Sequence, residues 1–148
     1  MDNILKSIFL ILLMSISAAS FAQKETWSTL AKVSFKREFD EMMGLEVETP
    51  VYSQTVLELQ GTEIAIEGYF IPLKGKKAQS HFMLSAYPYK MCYFCGAAGP
   101  ESVAQVFMKD SKEVEYTSKT IKLKGRLTLG FGDVNNLMYT ISNAVLIE

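Results

Sequence analysis

Two cysteines, Cys92 and Cys95, lie close together in the stretch KMCYFCGAAGPES, and the chain has no others. Thiol groups at this spacing have three chemistries open to them. They can bind a soft metal ion as thiolates, form a disulfide, or alternate between the reduced and the oxidised state. The spacing alone does not distinguish these three chemistries, and the neighbouring residues have to indicate which one applies.

A metal site needs more than two thiolates, because structural zinc takes four protein ligands and catalytic zinc takes three. Glu101 is close enough in sequence to supply a carboxylate, and Met91 could add a thioether for monovalent copper. The only histidine, His81, opens a strand expected to span about 20 Å at about 3.3 Å per residue, which places it far from the cysteines. We therefore predict a zinc or other soft-metal site at Cys92, Cys95 and Glu101, and no other cofactor.

Thiol–disulfide exchange is the alternative that would make the protein an enzyme. An exchanger of the thioredoxin type needs a low-pKa thiol at a helix N-terminus, whereas the residues after Cys95 alternate like strands. A permanent disulfide under an interaction surface is the third alternative. The sequence contains no glycine-rich phosphate loop, no nucleophile-elbow serine and no paired carboxylates in an evident cleft. We therefore favour a binding protein without catalytic residues over an enzyme.

The elements that must position the pair are strands. Apolar residues recur with a period of two, most regularly at Ile121, Leu123, Leu127, Leu129 and Phe131, and Gly68 interrupts the first run as a bend would. The pattern predicts a mainly β fold: a small five-stranded barrel of the oligonucleotide/oligosaccharide-binding (OB) type, preceded by a short helix, with an antiparallel sandwich as the alternative. The predicted strands cover 64–71, 81–87, 103–108, 120–131 and 138–147.

The N-terminus has the pattern of a signal peptide. Lys6 precedes an apolar run at 8–16, and the small residues Ser20 and Ala22 predict cleavage after Ala22. This gives a signal peptide at 1–22, a helical and extended segment at 23–60 that is broken at Pro50, and a barrel-like domain at 61–148. We expect a periplasmic or secreted protein with no stable membrane anchor after cleavage.

The charge pattern gives no reason to expect a nucleic-acid partner. The formal net charge is −1 over 148 residues, so no global field attracts phosphate backbones. Lys122, Lys124 and Arg126 form a basic strip, but an alternating strand has to present polar residues to solvent. We therefore interpret the strip as a solvated face.

Three stretches resemble an exported bacterial family of unknown function: TWSTLAKV, GTEIAIEGYFIPL, and IKLKGRLTLG followed by LMYTISNA. The family's motifs are W-x-x-L and G-K-x-I-x-I-x-G-Y-x-x-P-L, and the CYFCGAAGPES loop is similar to a Cys-x-x-Cys subgroup. The resemblance implies a role in zinc handling in the envelope, beside zinc-regulated transporter genes, with an envelope transporter component as a partner. Other branches place a histidine near the loop cysteine, and this sequence does not.

Overall fold

A computed structural model describes residues 22–75, 77–131 and 137–147. Within these ranges the elements run in the order helix, hairpin, short helix and barrel. They are α1 (Ala22–Leu30), β1 (Val33–Asp40), β2 (Leu45–Tyr52), α2 (Gln54–Leu57), β3 (Glu63–Ile71), β4 (His81–Ser85), β5 (Val103–Met108), β6 (Thr120–Leu129) and β7 (Tyr139–Ile147).

Strands β3 to β7 close into the predicted small five-stranded barrel. The order around the barrel is β3-β4-β5-β7-β6, returning to β3, and only the β5–β7 pair is parallel. This places the last two strands in reversed order, as in an OB-like Greek-key barrel. The closed ring confirms the predicted fold class and excludes the sandwich alternative.

Strand β6 shows why the sequence pattern was informative. Leu123, Leu127 and Leu129 are buried in the core, while Lys124 and Arg126 point outward. The register with β7 shifts between Lys124 and Arg126, as a bulge in a curved strand does. The prediction that this strand continues to Phe131 is wrong, because β6 ends at Leu129, and the Phe131 side chain is 67% exposed.

Helix α1 covers the part of β3 that does not pair with β4. Strand β3 pairs with β4 only from Tyr69 onward, although it pairs with β6 along its earlier residues. On the open edge, Thr26 Oγ1 donates to the carbonyl of Ala65 at 2.9 Å, and Trp27 Nε1 donates to that of Glu67 at 2.7 Å. These bonds satisfy strand carbonyls that would otherwise lack a partner.

Strands β1 and β2 form a two-stranded antiparallel hairpin outside the barrel. The predicted break at Pro50 is wrong, because Pro50 lies inside β2, opposite Phe35. The Ser53 N–H donates to the Lys32 carbonyl at 3.1 Å, and this register puts Pro50 at a non-hydrogen-bonded pair. Its missing N–H therefore faces away from β1, and no ladder bond is lost.

The predicted signal peptide falls on residues 1–21, which lie outside the described residues, and on Ala22, where α1 begins. In the described ranges, no helix is both long enough and apolar enough to cross a membrane.

Candidate functional site

Both cysteines lie in the segment between β4 and β5, residues 86–102, which we call the cysteine loop. Its base is closed by a bond from the Ala86 N–H to the Ser102 carbonyl at 2.9 Å, next to the buried side chain of Ser85. Between these ends the backbone folds into short 3₁₀ turns, at Tyr89–Met91, Tyr93–Cys95 and Pro100–Ser102. The loop is therefore an ordered series of turns anchored on two barrel strands.

The two thiols have different environments. Cys92 is fully buried between the first two turns, whereas Cys95 is exposed, and both are free thiols. The turn is closed by the Cys95 N–H, which donates to the Cys92 carbonyl at 3.1 Å. Desolvation, followed by a hydrogen bond and a charge interaction with Cys92, raises the pKa of the Cys95 thiol. The structure therefore brings the two sulfur atoms together and favours the protonated form of the exposed one.

The Cys95 thiol also has a partner on the backbone. Its sulfur donates to the carbonyl oxygen of Tyr89 at 3.0 Å. A hydrogen bond that uses the S–H proton stabilises the thiol relative to the thiolate. The arrangement does not activate Cys95 as a nucleophile, and a metal ion that binds its sulfur has to displace the proton.

The cysteine loop also exposes apolar side chains. The rings of Tyr93 and Phe94 meet edge to face with centroids 5.4 Å apart, and both are partly exposed. Exposed apolar side chains of this size in one loop are typical of a contact surface. The cysteine loop exposes five of them: Tyr87, Tyr89, Met91, Tyr93 and Phe94.

Glu101, the third predicted metal ligand, lies at the other end of the loop in the turn Pro100–Ser102. Its carboxylate occupies the space that a Cβ at Gly99 would take. Burial first, then the charges of Tyr52 and Glu101, raise the pKa of Tyr139. Within the described ranges, no three His, Cys, Asp or Glu side chains form a group able to hold a metal ion. Metal binding at Cys92, Cys95 and Glu101 stays a prediction.

His81 lies at the other end of β4 from the cysteine loop. It is the first residue of the strand, its Nε2 is 2.8 Å from Nε2 of Gln105, and its ring stacks on Phe107 at 4.2 Å. Desolvation, and then the charge of Lys74, lower its pKa. His81 lines a cleft of about 460 Å³ beside the β3–β4 loop, which the sequence analysis did not identify. The lysines that precede β4 were the available signal.

Comparisons with known proteins identify no family for this chain. No family model matches it, and no curated protein matches it either. Among solved structures, the chain is similar to a DUF3299 family protein from Pseudomonas aeruginosa PAO1, with 15% identity and a TM-score of 0.47. The similarity covers 67% of this chain and 68% of that one. It assigns no activity to this chain.

Proposed function

We propose that this chain is a small exported envelope protein that acts as a non-enzymatic accessory or binding protein, holding a soft metal ion, zinc first, through Cys92 and Cys95. The observation that carries the proposal is the pair itself. Two free thiols are in contact on an anchored loop, and one of them is open to solvent. Thiolates are the ligands that zinc and monovalent copper prefer.

The rest of the coordination shell comes from outside the pair. Two sulfur ligands supply half of a tetrahedral zinc shell. The remaining ligands are Glu101, if its turn reorients, or groups on a partner such as an envelope transporter component. The exposed rings of Tyr93 and Phe94 beside Cys95 provide an apolar contact area on which such a partner would dock.

Thiol–disulfide exchange is less well supported by the same geometry. An exchanger needs an accessible thiolate at neutral pH, which a lowered pKa provides. Here the exposed thiol, Cys95, has a raised pKa and donates a hydrogen bond to the Tyr89 carbonyl. The exposed sulfur is therefore a poor attacking group.

An interaction module with a structural disulfide is the second candidate. It is favoured by the contact between the two thiols, because oxidation would join atoms that are already adjacent, and by the exposed rings around them. The mass of protein freshly isolated from its compartment separates this candidate from the first. A permanent disulfide predicts a mass lower by two hydrogens than that of the reduced form.

The metal proposal is tested by zinc titration of the reduced protein in competition with a chromophoric chelator. We expect Cys92→Ser and Cys95→Ser each to weaken binding by more than the roughly 10–100-fold that loss of a supporting hydrogen bond costs. Affinity should rise steeply with pH, because both thiols must lose their protons. Glu101→Gln reports whether that carboxylate is a ligand.

The matched control is His81→Gln, which removes the only histidine at a distance from the loop. It should bind zinc as the unmodified protein does. Zinc binding that survives in Cys92→Ser/Cys95→Ser would refute the proposal. Insulin reduction that depends on Cys95 would instead make the protein an exchanger.

A further inference from the structure

A cleft lies at the end of β4 away from the cysteine loop. Residues 73–74 and 77–80 of the β3–β4 connection line a cleft of about 460 Å³ together with His81 and Glu113. This volume lies in the range of small-molecule sites, which is roughly 300–1,000 Å³. We call the connection the basic loop, because it carries Lys74 and Lys77.

The Gln79 side chain makes hydrogen bonds across the basic loop. Its side-chain oxygen accepts the Leu73 N–H at 3.0 Å, and its side-chain nitrogen donates to the Gly75 carbonyl at 2.9 Å. Its backbone exchanges two bonds of 3.0 Å with Val114. A loop that is tied across its own width and to a neighbouring segment keeps the cleft in shape before any ligand arrives.

The charges in the cleft are mainly positive. Lys74 and Lys77 line it together with one acid, Glu113. In the part of the chain that the structure describes, neither lysine belongs to an ion pair, in contrast to Lys122 and Lys124 on β6. Unpaired cations around a concavity raise the local concentration of anions.

His81 adds an oriented hydrogen-bonding group. Its ring is held by stacking on Phe107, its cross-strand neighbour, and by the contact with Gln105. Lys74, Lys77 and Glu113 are the charged groups that share its cleft. Desolvation and then the charge of Lys74 lower its pKa, which favours the neutral ring, and a bound anion would act in the opposite direction.

We propose that this cleft binds the oxyanion group, phosphate or carboxylate, of a small molecule, with Lys74 and Lys77 supplying charge and His81 supplying a hydrogen bond. The site is separate from the cysteine pair. Lysine binds such groups as a point charge, and the fixed histidine adds direction.

The experiment follows the ring signals of His81 by NMR during titration with inorganic phosphate or acetate, at constant ionic strength with chloride as the reference salt. Because His81 is the only histidine, its signals need no assignment by mutation. We expect a bound anion to raise its pKa by roughly 1, as a nearby opposite charge does. Stronger binding of phosphate assigns a phosphoryl ligand, and stronger binding of acetate assigns a carboxylate.

The charge variants make the assignment specific. Lys74→Ala/Lys77→Ala should weaken binding roughly fivefold or more, since one close charge pair in water is worth about that factor. Glu113→Gln should strengthen it. The matched control, Lys122→Ala/Lys124→Ala, removes the same charge from lysines that pair with Glu67 and Glu63, and it should bind normally. The proposal is overturned if neither anion shifts His81, or if both lysine pairs weaken binding equally.

Discussion

Replacing the two cysteines one at a time should affect stability unequally. Cys92→Ser puts a hydroxyl where the side chain is fully buried and where its neighbour, the Cys95 sulfur, is only a weak hydrogen-bond acceptor. We expect it to cost about 1–3 kcal/mol, the range for a poorly satisfied buried polar group. Cys95→Ser changes an exposed side chain, and a hydroxyl can still donate to the Tyr89 carbonyl. Its cost should stay within about 0.5 kcal/mol.

The measurement is urea unfolding of the reduced, chelator-treated protein, followed by the fluorescence of Trp27. Trp27 is the only tryptophan and packs against the core, so its emission reports unfolding. Cys92→Ala serves as the control, because it leaves a small cavity but buries no hydroxyl, and it should be less destabilising than the serine variant. Equal unfolding free energies for Cys92→Ser and Cys95→Ser would show that the described burial is incorrect.

Three further predictions concern the barrel. Tyr139→Phe removes the hydroxyl that donates to the Leu30 carbonyl at 2.6 Å, and it should cost about 1–3 kcal/mol in urea unfolding and speed hydrogen exchange in α1; unchanged exchange would contradict this. Gly68→Ala places a Cβ 2.6 Å from the carbonyl oxygen of Ser85 and should cost about 1–3 kcal/mol or more; a neutral change in melting temperature would refute the close approach. Burial raises the pKa of Tyr52 to about 12, above the value of about 10 in the unfolded chain. The stability that its neutral form contributes is therefore complete below a pH of about 10 and is lost as pH rises toward about 12. Tyr52→Phe should flatten this decline in the free energy of unfolding.

The barrel was predictable because apolar and polar residues alternate along its strands. In β6, side chains that alternate between buried and outward positions leave one strand orientation that covers a core. In β3, the interruption at Gly68 falls where the backbone of β4 approaches too closely for a side chain. Each local signal agreed with the barrel as a whole, so the fold class followed.

The hairpin was not predictable from the same signals. Its β1 residues are mostly exposed, so apolar and polar positions carry no clear burial pattern. Pro50 is a breaker in a central strand but is tolerated on an outer edge, and only the pairing register shows which edge it faces. A preference that depends on pairing between distant residues is not visible in a local window.

The site was predictable as a pair of residues but not as an environment. Cys-x-x-Cys spacing makes contact between the sulfur atoms feasible. The amino-acid sequence does not, however, show that Cys92 is buried and Cys95 exposed. That difference comes from two successive 3₁₀ turns, which follow from how the loop is anchored. The basic cleft was missed because its parts, Lys74 and Glu113, meet only through the fold.

The two proposed sites should behave independently, because β4 separates them. His81 begins the strand and Ser85 ends it next to the cysteine loop, so at about 3.3 Å per residue these two residues are roughly 13 Å apart. Changes at that distance without shared partners usually add within about 0.5 kcal/mol. Lys74→Ala/Lys77→Ala should therefore leave zinc affinity unchanged, and Cys95→Ser should leave the phosphate response of His81 unchanged. Coupling in either direction would contradict this independence and would mean that a change is transmitted between the two ends of β4.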